Sequence, residues 1–285
     1  MKWTRSPAAA GTFYPALPWQ LRAQIQGLID PAAPKCEAVA VVVPHAGYQY
    51  SGSIAGAVYS RVRFPDTFVI LGPNHYGLGA VASMMPEGLW TTPLGSVSID
   101  AELARRILDS SQFLEVDSLG HSQEHAIEVQ LPLLQAFEIP FRFVPIALMP
   151  CPYHVCQDIG EAVATAIQAS DPKSRVTMIA STDFTHCGPM YHQLPPPGMT
   201  AADYARQQDR LAIEAILALD PERLYRTVEQ HDISMCGVHA TTAMLVAANL
   251  LGGRRAELVG YRTSADVTGE GDMAVGYAGV VIHPD

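Results

Sequence analysis

The sequence predicts a three-layer α/β fold, with a mainly parallel central sheet that has helices on both of its faces. Two observations carry this prediction. Apolar segments rich in β-branched residues alternate along the chain with segments of helical periodicity. These apolar segments are continuous, which is typical of strands that are buried on both faces. The 285 residues show no repeat and no shift in composition, so we expect a single domain over residues 1–285.

Six segments have the pattern of strands and eight have the pattern of helices. The predicted strands are residues 38–43, 67–71, 141–148, 175–180, 257–261 and 274–282. The predicted helices are residues 18–29, 53–61, 101–110, 123–137, 153–169, 201–219, 221–229 and 238–251. Local signals support two helix ends. Asp220 before Pro221 is a typical helix start, and Gly252 with Gly253 ends the last helix.

Composition and charge argue against several classes of protein. The net charge of −10 disfavours nucleic acid as a partner, because such partners are bound largely through neutralised phosphates. No apolar run reaches the roughly 18 residues of a membrane span, and the N-terminal residues contain no apolar core of a signal peptide. Five scattered cysteines, an odd number, indicate reduced thiols. We therefore expect a cytoplasmic protein that does not enter a membrane.

The first, second and fourth predicted strands all end in turn residues that are followed by polar side chains. In open α/β sheets, ligands bind beyond the carboxyl ends of the strands. If the three strands are parallel neighbours, their end residues converge on one crevice. A histidine considered alone more often has a structural, hydrogen-bonded role than a role in a site. Because three strand ends carry such polar residues here, a shared site becomes about as frequent as the structural role. The residues at these ends are His45, His75, Asp183 and His186.

Cys236 directly precedes the small-residue helix predicted over 238–251. A thiolate at a helix N-terminus is stabilised by the helix dipole and by free backbone amides, which lowers the pKa of the cysteine. A thiolate and two neutral imidazoles make a three-ligand site for iron, copper or zinc with a coordination position left open. The alternative is a buried, inert cysteine at the start of a packed helix.

Further polar residues cluster at the start of helix 123–137, where Ser122 is a candidate N-cap. His125 and Glu128 share a face of this helix, and a solvated helix end is the more common explanation for such a pair. His239 lies one turn into the helix after Cys236, where it either lines the crevice or packs. We assign His125, Glu128, Tyr48 and His239 as candidates for binding substrate or supporting the ligands.

Several motifs occur in an order that resembles the Memo family, also called AmmeMemoRadiSam system protein B. They are HAGY at 45–48, LGPNH at 71–75, EHAIEVQLP at 124–132, STDFTH at 181–186 and SMCG at 234–237. AGTFYP at 10–15, TSADVTG at 263–269 and VGYAG at 275–279 resemble the two ends of that family. The resemblance therefore covers nearly the whole chain.

The resemblance implies a fold similar to class III extradiol dioxygenases, in which two histidines and a glutamate hold non-haem Fe(II). Position by position, it implies His45, His75 and Cys236 as metal ligands. It also implies His186 as the acid–base histidine, with Asp183 beside it to orient it. Cys236 stands where those dioxygenases have a carboxylate. Because a thiolate donates more charge to iron and also suits copper, ring cleavage does not carry over.

Two functions from different classes follow from these residues. The first is a metal-dependent redox enzyme, with iron as the expected metal, copper or zinc as alternatives, and an unknown small-molecule substrate. The second is a non-catalytic module that binds a peptide or a small anion in the same crevice, since some family members are described as binding phosphotyrosine peptides. The resemblance also implies a functional link to a radical SAM protein.

Overall fold

The predicted apolar segments form the centre of a large mixed sheet in the computed structural model, which describes residues 3–284. The strands are β1 (Thr4–Arg5), β2 (Ala40–Val43), β3 (Thr67–Pro73), β4 (Ala82–Met84), β5 (Leu89–Thr92), β6 (Gly95–Ser98), β7 (Glu115–Val116), β8 (Arg142–Leu148), β9 (Val176–Ser181), β10 (His186–Cys187), β11 (Gly253–Thr263) and β12 (Ala274–Pro284). The first two residues and the last, which the single-domain prediction includes, lie outside this range.

Helices connect most of these strands and cover the sheet. They are α1 (Pro18–Gln26), α2 (Tyr48–Arg61), α3 (Ala101–Ser110), α4 (Leu119–Ser122), α5 (Gln130–Gln135), α6 (Tyr153–Gln168), α7 (Ala201–Leu217), α8 (Pro221–Gln230), α9 (Val238–Leu250) and α10 (Ala265–Thr268). A short 3₁₀ helix covers Pro189–Tyr191. The predicted cap of α8 is present, since the Asp220 side chain accepts a hydrogen bond from the backbone N–H of Arg223.

Four strands at the centre of the sheet, β2, β9, β3 and β8, are parallel neighbours in this order. The strands that flank them are antiparallel, since β12 pairs with β2 and β4 pairs with β8 in that sense. The predicted α/β fold is confirmed, with its parallel part in the central four strands. The strands that sequence periodicity missed are two to four residues long, too short for a repeating pattern.

The helix α9 is buried along most of its length between the sheet and its neighbouring helices. It packs against β3 and β9 and is flanked by α6 and α8, whereas α2 packs against β2 and β12. Close approach of α6 to α9 depends on Gly160, because a Cβ atom there would lie 2.5 Å from the carbonyl oxygen of Ala243. Gly160 on α6 therefore allows the two helices to pack closely.

The helix predicted over residues 123–137 is shorter than expected and begins only at Gln130. Pro132 explains this start. A proline is tolerated in the first turn of a helix, where its missing N–H has no acceptor, but it breaks a helix interior. Residues 124–129 instead form an irregular turn. Ser122 is not an N-cap, since it is the last residue of α4 and its hydroxyl donates to the carbonyl of Leu119 in the same helix.

Arg5 ties the N-terminal segment to this irregular turn through a buried cluster. Its guanidinium donates to Glu128 Oε2, to the carbonyl of His121 and to the carbonyl of Glu124, each at 2.6 Å. Its Cζ atom also lies 4.1 Å from the centre of the Trp90 ring. Both side chains of the Arg5–Glu128 pair are at least 95% buried, with 5% and 0% exposed. The pair therefore closes the N-terminal segment over the core.

Replacing Arg5 with alanine should lower the free energy of unfolding by about 3–5 kcal/mol, because the buried Glu128 carboxylate loses its cation. Urea denaturation of the variant and the unchanged protein measures this difference. Arg226→Ala is the control, since it removes an exposed pair with Glu222 on α8 and should cost at most about 1 kcal/mol. Equal losses in the two variants would contradict the structural role of the buried pair.

Candidate metal centre

The cavity at the carboxyl ends of the parallel strands collects the polar residues that were predicted to converge. His45 follows β2, His75 follows β3, and Asp183 and His186 follow β9, which lies between those two strands. All four residues line one cavity of about 420 Å³. The convergence predicted from the strand ends is therefore confirmed, whereas the chemical role of each residue is still a prediction.

A third imidazole completes a histidine cluster on the cavity wall. The ring of His125 stacks on that of His75, with centroids 4.7 Å apart and planes inclined by 14°, and His45 meets His75 edge-on at 5.2 Å. One ring nitrogen of each of these three residues lies within 4.8 Å of the others. On its other face, His125 stacks on Phe13 at 4.1 Å. The N-terminal segment therefore covers the cluster with an aromatic ring.

Cys236 brings a thiol to the same cluster from the start of α9. Its Sγ atom lies 3.2 Å from Nε2 of His45. The backbone N–H of Asp183 donates to this sulfur at 3.3 Å. Bonds of about 2.1 Å to nitrogen and 2.3 Å to sulfur at a tetrahedral angle would put the two atoms about 3.6 Å apart. The observed spacing therefore fits two donors of one small cation.

The charges in this cluster are those of a thiolate beside an imidazolium. Burial alone would raise the pKa of Cys236, but the charge of His45 and hydrogen bonds from His45 and His75 lower it to about 6. Burial would likewise lower the pKa of His75, yet hydrogen bonds to Cys236 and Glu124 raise it to about 10. Near neutral pH the metal-free site therefore holds a thiolate, the form in which cysteine binds metals.

In metal-free protein, the rate of Cys236 alkylation by iodoacetamide should rise with pH and reach half its maximum near pH 6. The thiolate is the nucleophile, and the pKa of Cys236 is lowered to about 6. Mass spectrometry of alkylated peptides measures the rate at each cysteine. Cys36 is the internal control, because burial raises the pKa of its thiol. A midpoint at or above the free value of about 8.5 would contradict the proposed electrostatics.

The Glu124 carboxylate contacts both of the stacked histidines, His75 and His125. Its carboxylate accepts from Nδ1 of His75 at 2.9 Å and from the backbone N–H of His75 at 2.6 Å. Burial would raise the pKa of Glu124, but hydrogen bonding to His75 and the charges of His75 and His125 lower it to about 2. A carboxylate can only accept, so Nδ1 of His75 carries the proton and Nε2 faces Cys236. Carboxylates commonly orient metal-binding histidines in this way.

His186 is oriented by Ser234 rather than by Asp183. Nδ1 of His186 lies 3.0 Å from the carbonyl oxygen of Ser234, so this nitrogen is the donor and Nε2 is left to accept a proton in the cavity. Asp183 was expected to orient His186, and in the structure its Oδ1 instead accepts from the backbone N–H groups of His45 and Ala46. Its buried carboxyl has a pKa that burial raises above the usual range.

Cys236 contacts His45 but does not itself line the cavity, and three other predicted site residues also lie outside the lining. The Tyr48 hydroxyl donates to the carbonyl of Val129. Glu128 accepts from Arg5, from Tyr14 and from backbone N–H groups of the N-terminal segment, so it holds the segment that carries Phe13. His239 faces away and packs its ring against Tyr225, with centroids 5.8 Å apart. Of the supporting residues predicted from sequence, His125 alone among these four reaches the cavity.

Sequence reasoning missed the functional positions of Phe13, Glu124 and Ser234. Glu124 and His125 were visible as a pair in a family motif, but their assignment to a regular helix face hid the turn that aims both at His75. Phe13 lies in the N-terminal motif, where no local pattern indicates a contact with residue 125. The remaining cavity wall is mixed and contains the rings of Tyr50, Tyr191 and Tyr277 together with Met273 and Glu270.

Comparison with known proteins agrees with these motifs. The profile of the family described as Memo-like protein matches residues 5–281. A MEMO1 family protein of Methanopyrus kandleri is 41% identical, with 98% of this chain and 99% of the relative aligned. MEMO1 family proteins of Methanothermobacter thermautotrophicus and Methanosarcina barkeri are 37% and 39% identical, with 96% and 98% of this chain and 98% and 100% of the relatives aligned.

None of the helices within residues 3–284 combines the length and the apolar character needed to cross a bilayer. The agreement with the family extends over nearly the full length of the chain and of its relatives. It includes the segments that carry His45, His75, His125 and Cys236. The chain therefore belongs to the Memo family.

Proposed function

We propose that this protein is a metal-dependent redox enzyme that holds a non-haem iron through His45, His75 and Cys236. The observation that carries this proposal is the cluster of three imidazoles on the wall of one cavity, with the Cys236 sulfur 3.2 Å from one of them, His45. His125 is a further donor in reach of the same position. A donor set of imidazole and thiolate favours iron, copper or zinc over magnesium or calcium, which prefer oxygen ligands.

The donor set fits such an ion for a second reason, which is the protonation of the rings. Glu124 accepts a hydrogen bond from Nδ1 of His75, so Nε2 is the nitrogen that can bind an ion once the metal displaces the proton that this nitrogen carries near neutral pH. The thiol of Cys236 is deprotonated near neutral pH, because its pKa is lowered to about 6. When bound there, iron would supply redox chemistry with coordination positions open to O₂ and an organic substrate.

The chain's own contribution to turnover is proton transfer and substrate binding. Nε2 of His186 is an acceptor that faces the cavity, and imidazole is the side chain that ordinarily exchanges protons near neutral pH. The Tyr191 ring lies edge-on to the His186 ring, with the two ring centroids 5.2 Å apart. A substrate that occupies the cavity would therefore lie between His186 and the histidine cluster.

The cavity lining favours a small organic substrate over an anionic ligand. Among residues 3–284, the lining contains no arginine or lysine, and its two carboxylates are Asp183 and Glu270. A phosphorylated peptide would find no guanidinium, the group that usually recognises phosphate. A module that only binds an uncharged ligand is the second candidate, since the tyrosine rings would pack on such a ligand without any chemistry.

Anaerobic purification followed by elemental analysis tests the proposal directly. We expect about one iron per chain and, in crystals, anomalous scattering at the iron edge beside His45, His75 and Cys236. Oxygen consumption on addition of candidate organic substrates then separates an enzyme from a binder. Absence of transition metal after anaerobic purification, and after reconstitution with Fe(II), would contradict a metal-dependent enzyme. Stoichiometric ligand binding without turnover would favour the second candidate.

A further inference from the structure

Behind His45, on the side away from the cavity, a chain of buried hydrogen bonds ends on the ring. Tyr59, Gln130 and Ser181 are fully buried. The Ser181 hydroxyl oxygen has three polar neighbours: the carbonyl oxygen of Ala126 at 2.6 Å, Nε2 of Gln130 at 2.8 Å and Nδ1 of His45 at 3.1 Å. A hydroxyl group has one proton to donate. The donor and acceptor roles in this chain can therefore be assigned one by one.

The orientation of the Gln130 amide follows from its other two partners. One end of the amide lies 3.0 Å from the carbonyl oxygen of Pro44, which can only accept, so that end is the NH₂ group. The other end accepts from the Tyr59 hydroxyl at 2.7 Å. Because the NH₂ group faces Ser181, Gln130 donates to the Ser181 oxygen as well. Reversal of the amide would place two acceptors against each other at Pro44.

The proton of Ser181 is assigned in the same way. The Ala126 carbonyl can only accept, so the hydroxyl proton lies in that 2.6 Å contact. The serine oxygen then has only lone pairs to offer to the ring nitrogen of His45. Nδ1 of His45 must therefore carry a proton and donate it at 3.1 Å. In the neutral ring this leaves the lone pair on Nε2, the nitrogen that lies 3.2 Å from Cys236 Sγ.

We propose that Ser181 and Gln130 are positioning residues that hold neutral His45 in its Nδ1–H tautomer, so that its Nε2 lone pair points at the metal position. The inference rests on the proposed metal centre, which gives that lone pair its use. The opposite tautomer would direct an N–H bond toward the position that a metal would occupy. Glu124 likewise fixes a proton on Nδ1 of His75. For His45 the groups that do so are neutral.

The same chain also joins the segments on which the candidate ligands lie. Ser181 is the last residue of β9, Gln130 is the first residue of α5, and Pro44 follows β2 directly. Through Ala126, the Ser181 hydroxyl holds the turn that carries Glu124 and His125. One buried hydroxyl therefore sets the tautomer of His45 and fixes the segment beside it. Removal of the Ser181 hydroxyl should therefore lower the metal affinity by more than the accompanying loss of stability would explain.

The tautomer can be read from ¹⁵N chemical shifts of histidine-labelled, metal-free Cys236→Ala protein at alkaline pH, because without the Cys236 thiolate no anion competes for a proton on Nε2 of His45. We expect Nδ1 of His45 to be protonated in this protein and a mixture of tautomers when Ser181→Ala is combined with it. Zinc affinity, measured against a chelator, should fall roughly 10–100-fold in Ser181→Ala with Cys236 present, the usual effect of losing a partner of a ligand. Ser181→Thr keeps a hydroxyl and should restore both values.

Ser60→Ala is the matched control, because it removes a buried hydroxyl on α2 that donates to Gly56 and should change neither tautomer nor affinity. An Nε2–H tautomer of His45 in metal-free Cys236→Ala would overturn the inference, even if Ser181→Ala does not fold. The inference would also be overturned if Ser181→Ala changed neither the tautomer populations of His45 nor the zinc affinity. If the unchanged protein binds neither zinc nor iron, the proposed function fails, and the ¹⁵N spectrum still decides the tautomer.

Discussion

Replacement of His75 or Cys236 by alanine is expected to weaken Fe(II) binding by more than about 100-fold, beyond the usual loss on removing a group that only orients a ligand. His45→Ala should have the same effect, because a three-donor site that loses one donor has little left to hold the ion. Anaerobic titration of each variant in one chelator-buffered series measures the affinities. His125→Ala shows whether the third imidazole of the cluster is a donor, since a stacked but non-binding ring would cost far less.

Three variants serve as controls for this experiment. His231→Ala removes an exposed imidazole at the end of α8 and should leave the affinity unchanged. His186→Ala and Asp183→Asn should leave most of the metal in place, since their proposed tasks are proton transfer and support of the His45 backbone. Should His186→Ala lose metal as completely as His75→Ala, His186 is a ligand and its acid–base assignment is wrong.

Turnover should fall by roughly 10²–10⁴-fold in His186→Ala, the usual contribution of a general acid–base residue. The physical reason is that Nε2 of His186 is the proton acceptor on the cavity wall, with Nδ1 committed to the carbonyl of Ser234. The measurement is oxygen consumption by the iron-loaded protein with an organic substrate that supports turnover. The iron content and melting temperature of the variant should match those of the unchanged protein.

Free imidazole added to the assay should restore part of the His186→Ala activity, because a small base can enter the space that the side chain leaves. His192→Ala is the matched control, since it removes an exposed imidazole six residues further along the same segment. The prediction is contradicted if His186→Ala turns over within about threefold of the unchanged protein, a loss far smaller than the expected one. His186 would then have no part in the mechanism, and its orientation by Ser234 would be a structural feature.

The strand ends show how far sequence reasoning extends for this fold. β2, β3 and β9 are continuous apolar runs, so their positions follow from composition, and a parallel central sheet brings their carboxyl ends to one edge. His45, His75 and Asp183 could therefore be assigned to one crevice from the sequence alone. The start of α9 is likewise a local signal that singles out Cys236, whereas in the structure His45 and His75 lower the pKa of its thiol.

The turn at residues 124–129 shows where this reasoning ends. Apolar spacing there imitates a helix, while Pro132 and the buried contacts of Glu124 and Glu128 produce an irregular backbone. The backbone conformation of this turn is set by contacts with residues far away in the chain, which override the local periodicity. The sequence pattern alone therefore could not predict that the His125 ring stacks on the His75 ring. The expected pairing of Asp183 with His186 failed for the same reason, since backbone N–H groups at residues 45 and 46 take that carboxylate.

By itself, the sequence determined the central strands, most of the helices, the crevice and the chemical types of its side chains, because these depend on residues close together in the chain. Only the tertiary structure decided which nitrogen of each histidine faces the cavity. That choice depends on partners brought together from far along the chain: Ser181 for His45, Glu124 for His75 and Ser234 for His186. A hydrogen bond reaches about 3 Å, so it is determined only when the whole chain has packed.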